Sequence, residues 1–102
     1  MEIDKLFAQI KEYMEDPDLA LVNKAYTFAE KAHQGQNRIS GEPFVEHPLG
    51  VAYILAELEL DIISIAGALL HDVVEDTEIS SGDITNEFGE EIALLVDGVT
   101  KL

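Results

Sequence analysis

Between Leu69 and Thr77 the chain reads Leu-Leu-His-Asp-Val-Val-Glu-Asp-Thr, and its chemically capable residues concentrate there. Wound as one continuous helix, His71, Asp72, Glu75 and Asp76 fall at roughly 0°, 100°, 40° and 140° around the axis. They share a sector, while Leu70, Val73 and Val74 turn to the other side, toward a core. Three carboxylates and an imidazole on one face repel one another unless something neutralises them. A divalent cation would do so, and neutral imidazole with carboxylate suits first-row metals such as Mn²⁺, Fe²⁺ or Zn²⁺. An isolated His-Asp pair is common and reads as a solvated helix end. His-Asp followed three residues later by Glu-Asp, with an apolar face behind it, favours the cation.

Other candidates lie upstream. His47 stands just before Pro48 at the mouth of a helix, and His33 stands at the end of another. Each fits a cap or a satisfied polar residue as well as a metal ligand, and residue type alone does not choose between them. Arg38 is the only arginine, set in a stretch containing Gly35 and Gly41. In so acidic a chain a single guanidinium suits a phosphate anchor or a stacking partner for a base. A salt bridge with Glu42 or Glu46 accounts for it equally well.

The elements that must position these groups are helices. Ile3, Leu6, Phe7, Ile10, Tyr13 and Met14 recur at spacings of three and four, so they mark one face of a leading helix within residues 1–18. Asp16-Pro17-Asp18 interrupts it, and Asp18 can cap a second helix running to about His33. Gln34 to Pro43 reads as a loop. Pro48 suits the first position of a third helix carrying Val51, Ile54, Leu55 and Leu58. Asp61 can cap a fourth that continues to Val74 or beyond, Ser81 and Gly89 bracket a short fifth, and a sixth begins near Glu90. No stretch alternates with period two, so the class is all-α. The chain ends at Lys101-Leu102 with the sixth helix barely finished, and the expectation is a bundle incomplete at its C-terminus. Apolar faces around Leu69, Leu94 and Leu95 are then expected to be partly exposed, which favours self-association.

Composition excludes several classes. Six basic residues against 21 acidic ones give a net charge of −15, and no lysine or arginine occurs between Arg38 and Lys101. Nucleic-acid binding needs clustered cations, which this chain does not supply. There is no cysteine, hence no disulfide, thiolate ligand or cysteine nucleophile; a reducing cytoplasm is compatible with that. The longest uncharged apolar run, Ile62 to Leu70, is well short of the ~20 residues that cross a bilayer. No membrane partner is expected.

Five segments in register resemble the hydrolase domain of the RelA/SpoT family. They are Ala32-His33-Gln34-Gly35-Gln36 with Arg38, Ser40-Gly41-Glu42-Pro43-Phe44, His47-Pro48, His71-Asp72-Val73-Val74-Glu75-Asp76-Thr77, and Val96-Asp97-Gly98-Val99-Thr100-Lys101-Leu102. The likeness runs from about Ala25 to the last residue, so residues 19–102 read as the His-Asp (HD) motif region of one HD domain that residues 1–102 begin. The resemblance implies an all-α HD-domain helical bundle that binds Mn²⁺ and removes pyrophosphate from the 3′ position of ppGpp or pppGpp, the alarmones of the stringent response. By motif position it implies His47, His71 and Asp72 as metal ligands and Glu75 and Asp76 as the groups that orient and activate water. It places Arg38 against the guanine base and Ser40, Thr100 and Lys101 near the nucleotide, and leaves His33 structural. A last family ligand, Asp or Asn, is implied downstream of Lys101, as are synthetase and regulatory domains, which would leave residues 1–102 inactive by themselves.

Two positions depart from the family pattern: Ile39 replaces a usually basic residue and Phe44 a usual tyrosine. The first removes a cation from a site for a polyphosphate. An HD phosphohydrolase acting on another nucleotide, or a catalytically silent regulatory or interaction module, are the alternatives.

Overall fold

The structure, a computed structural model, describes residues 2–34 and 46–100, excluding the side chains of Glu46, Val99 and Thr100. Among the described residues there are only helices and their connections: α1 (Ile3–Lys11), α2 (Leu19–Ala32), α3 (Glu46–Glu57), α4 (Ile62–Leu70), α5 (Val73–Asp76), α6 (Ser81–Phe88) and α7 (Glu90–Thr100). The all-α expectation is met. None of these helices is long and apolar enough to cross a membrane.

α4 is the hub. Every residue from Ile65 to Leu70 is buried, because α2, α3 and α7 all pack on it. A helix apolar on all sides can persist in water only when enclosed in this way. Each fully buried leucine or isoleucine contributes about 1.5–3 kcal/mol of transfer free energy, so Ile65, Leu69 and Leu70 hold the bundle together. The expected exposure of Leu69 is therefore corrected: it is completely buried, whereas Leu94 and Leu95 on α7 are indeed exposed. Gly67 lets α7 approach closely, since a Cβ there would come within 2.5 Å of the Leu95 side chain.

Local chemistry sets the boundaries. Asp18 caps α2 by accepting from the Leu21 N–H at 3.1 Å, and Asp61 caps α4 by accepting from Ser64 at 3.2 Å, as their sequence positions suggested. Ser80, rather than Ser81, caps α6: Ser80 Oγ accepts from the Asp83 N–H at 3.2 Å and Asp83 returns a carboxylate to the Ser80 N–H at 3.0 Å. Pro48 is the third residue of α3, not the first. It is still in the opening turn, where an absent N–H costs no helical bond.

α3 ends on a Schellman turn. Leu60 N–H reaches Leu55 O at 3.1 Å, Glu59 N–H reaches Ala56 O at 3.0 Å, and Glu59 takes the left-handed φ of 60° usually given to glycine. The same turn anchors the leading helix. The Tyr13 hydroxyl donates to Leu60 O at 2.6 Å, and Lys5 lies over the Tyr53 ring at 5.2 Å. On the opposite side Phe28 and Phe88 meet edge to face at 5.3 Å with Lys24 over Phe88, which joins α2 to α6.

Burial, with the charges of Glu59 and Asp61 beside it, raises the Tyr13 phenol above its ordinary value. A folded value above the unfolded one means that the stabilisation is fully present below the unfolded value and is lost as pH rises through the folded one. Tyr13→Phe should therefore cost about 1 kcal/mol at neutral pH, and its deficit relative to wild type should close or reverse above about pH 10. Urea unfolding of both proteins at pH 7 and under alkaline conditions measures this. A deficit that is the same at both would show that the hydroxyl contributes nothing through its proton.

Candidate metal centre

The His-Asp dipeptide does not lie on a continuous helix. α4 ends at Leu70, and α5 starts afresh at Val73 as a single turn. The cause is local. His71 N–H bonds three residues back, to Ala68 O at 3.4 Å, and the same carbonyl lies 2.6 Å from His71 Nδ1. Asp72 then sits at φ −92°, ψ −6°, at the edge of helical space. The ring competes for the carbonyl that a following helical turn would use, and the helix tightens and breaks. The shared sector computed for a straight helix is corrected accordingly.

The site lies at this break. A carbonyl can only accept, so His71 Nδ1 donates to Ala68 O, and Nε2 is the ring nitrogen turned toward Asp72. Nε2 lies 3.1 Å from Asp72 Oδ1, and the other carboxylate oxygen, Oδ2, lies 3.8 Å from His47 Nε2. The two imidazole rings stand 5.6 Å apart, inclined by 58°. One donor atom from each of His47, His71 and Asp72 lies within 4.8 Å of the others. Ions with bonds of about 2.1 Å keep their donors roughly 3–4 Å apart, so the group needs little movement to close on one.

Exposure supports the same description. The side chains of His71 and Asp72 are 17% and 19% exposed, and that of His47 is 41% exposed, so the group is dry on the α4 side and open on the other. His47 lies in the first turn of α3, a helix that packs against α4, and Leu49 and Ala52 just after it are buried in the core.

The two upstream histidines differ in position. His47 joins the group, while His33 is buried at the C-cap of α2, 3% exposed. Glu75 and Asp76 are exposed on α5, outside the three-residue cluster. Asp76 borders an open depression of about 530 Å³ with Lys31, Thr77 and Glu78. A second cleft of about 380 Å³, lined mainly by apolar residues including Val51, Leu55 and Leu95, reaches His71 from the α3–α7 side. Arg38, Ser40 and Lys101 lie outside the described residues, and the Thr100 side chain is not described.

The ring-to-carbonyl bond at Ala68 was not anticipated from sequence. Its only signal there is that a histidine three residues after Ala68 stands at the end of an apolar helix.

A profile of the HD domain matches residues 25–102. HD domains are metal-dependent, and the His47, His71 and Asp72 group is one that can hold an ion. The chain is 55% identical, over 91% of its length, to a GTP pyrophosphokinase of Myxococcus xanthus. It is 46% identical over 97% of its length to a guanosine-3′,5′-bis(diphosphate) 3′-pyrophosphohydrolase of Vibrio cholerae, and 46% identical over 91% to the bifunctional (p)ppGpp synthase/hydrolase SpoT of Escherichia coli. It spans 12%, 14% and 13% of those proteins, respectively. The chain belongs to the HD-domain family and, within it, stands with the RelA/SpoT proteins.

Proposed function

We propose that this domain hydrolyses the 3′-pyrophosphate of (p)ppGpp, releasing GDP or GTP and pyrophosphate, with Mn²⁺ held by His47, His71 and Asp72. The observation that carries the reading is the convergence of those three side chains at the break between α4 and α5. The names of the Vibrio and Escherichia relatives support the substrate. Imidazole with carboxylate is a donor set suited to Mn²⁺. When bound, such an ion supplies Lewis acidity to a phosphoryl oxygen and makes water a better nucleophile near neutral pH.

The chain's own residues do the rest. The Ala68 carbonyl holds the His71 ring in the tautomer that offers Nε2. Asp72 turns one oxygen toward each histidine, at 3.1 Å from His71 Nε2 and 3.8 Å from His47 Nε2, so that one ion can lie among all three. Glu75 and Asp76, on the solvent side of α5, take the proton from attacking water and return one to the leaving group. Arg38 packs on the guanine, and Ser40, Thr100 and Lys101 contact the nucleotide. With a net charge of −15 the chain repels a polyphosphate at long range, so the cation also serves to admit the substrate. A cytoplasmic setting and self-association through the exposed Ile54, Leu58 and Leu94 belong to the same proposal.

One observation favours a second reading. Ile39 puts an apolar side chain where the family usually has a cation, which suits a nucleotide with less phosphate beside Arg38. Pyrophosphate or phosphate release measured across a nucleotide panel separates the two. (p)ppGpp turned over in preference to the rest supports the first, and preference for another nucleotide supports the second. A protein that holds no metal and turns over nothing would be a silent module.

Two sets of variants, made in the full-length protein that carries this domain, test the roles. His71→Ala and Asp72→Ala should each abolish stoichiometric Mn²⁺, read by elemental analysis after gel filtration; variants that keep the metal would remove these residues from the ligand set. Glu75→Gln and Asp76→Asn should keep the metal and lose roughly 10²–10⁴-fold in turnover. Rates near wild type in both would exclude them from proton transfer.

A further inference from the structure

Glu75 and Asp76 stand on the least self-sufficient element of the fold. α5 is four residues long, and a helix of one turn does not persist on its own because nucleation costs more than one or two hydrogen bonds return. Its backbone ties are Asp76 N–H to Asp72 O at 2.9 Å and Thr77 N–H to Val73 O at 3.1 Å. Something must hold this turn if its two carboxylates are to keep a fixed position relative to His71 and Asp72.

Thr77 is built to do that. Its hydroxyl donates to Val73 O at 2.5 Å, so one carbonyl accepts both the N–H and the O–H of the same residue. Thr77 Oγ1 in turn accepts from the Ile79 N–H at 3.1 Å. Val73 is completely buried and Ile79 packs against the core, so the hydroxyl links two anchored points with Glu75 and Asp76 between them. Thr77 itself leaves helical space at φ −133°, ψ −179°, which ends α5 immediately after Asp76.

We propose that Thr77 is a positioning residue for this site: its side-chain hydroxyl clamps the α5 turn and thereby fixes Glu75 and Asp76 relative to the His71–Asp72 ligand pair. The catalytic part of this inference rests on the proposed hydrolase function, but the clamp itself does not. A threonine-to-valine exchange keeps the shape and removes both hydroxyl bonds, whereas serine keeps the hydroxyl.

The test compares wild type, Thr77→Val and Thr77→Ser in the full-length protein that carries this domain. In Thr77→Val, amide hydrogen exchange at Asp76, Thr77 and Ile79 should accelerate about 5- to 30-fold, the loss expected from one or two hydrogen bonds, with α4 amides unchanged. Mn²⁺ affinity should stay at the wild-type level, because none of the three ligands is on α5. Turnover of ppGpp should fall in kcat by roughly 10- to 100-fold with KM unchanged, as for a displaced catalytic group, and serine should restore both exchange and kcat. Unchanged exchange in the valine variant overturns the clamp. Faster exchange with wild-type kcat, or a serine variant that behaves like valine, overturns the positioning role. A wild-type protein that releases no pyrophosphate counts against the proposed substrate, and the exchange rates of the three proteins then decide the clamp on their own.

Discussion

The Ala68 carbonyl makes a choice on which the site depends. It accepts the ring N–H of His71 instead of continuing the regular helical ladder, and α4 stops there. At this helix end Nε2 and a carboxylate oxygen of Asp72 lie 3.1 Å apart, and the second oxygen faces His47. Backbone hydrogen bonding thus orients the His71 ring toward its neighbour.

A helix end can hold such geometry only if the helix itself cannot move. α4 meets that condition because it is enclosed by α2, α3 and α7 and buried from Ile65 to Leu70. The core therefore positions the site directly, with no intervening loop between Leu70 and His71. α3 contributes His47 from its opening turn, and its other end is fixed by the Schellman turn and the Tyr13 hydroxyl. The less anchored element is α5, which carries the exposed carboxylates. His71 and Asp72 beside the buried framework, with Glu75 and Asp76 on a short outer turn, form a division that would suit the proposed metal-dependent hydrolase. The ion must be held rigidly, while acids and bases need contact with water.

Much of this was legible in the residues. The helical periodicity, the Asp18 and Asp61 caps and the Gly89 stop are local signals, and local signals survive folding. The His-Asp…Glu-Asp segment pointed to its chemistry by composition, and motif likeness pointed to His47. Two features were not legible. The break after Leu70 arises from a side chain competing with the backbone, which no periodicity count detects, because Val73 and Val74 continue the apolar pattern across it. The burial of Leu69 follows from the packing of α2, α3 and α7 on α4, which no local pattern specifies. Pro48 and Ser80 show the smaller kind of miss, in which the right turn is chosen and its first residue is displaced by one or two places.

His47, His71 and Asp72 are proposed to hold one divalent cation with both imidazole nitrogens turned toward it. Electron spin-echo spectroscopy of the protein loaded with Mn²⁺ reads this arrangement, since nitrogen nuclei bonded to the ion modulate the echo. Couplings to two directly bonded imidazole nitrogens are expected, together with couplings to water protons. Water-proton couplings with no nitrogen coupling would overturn the proposed ligand set.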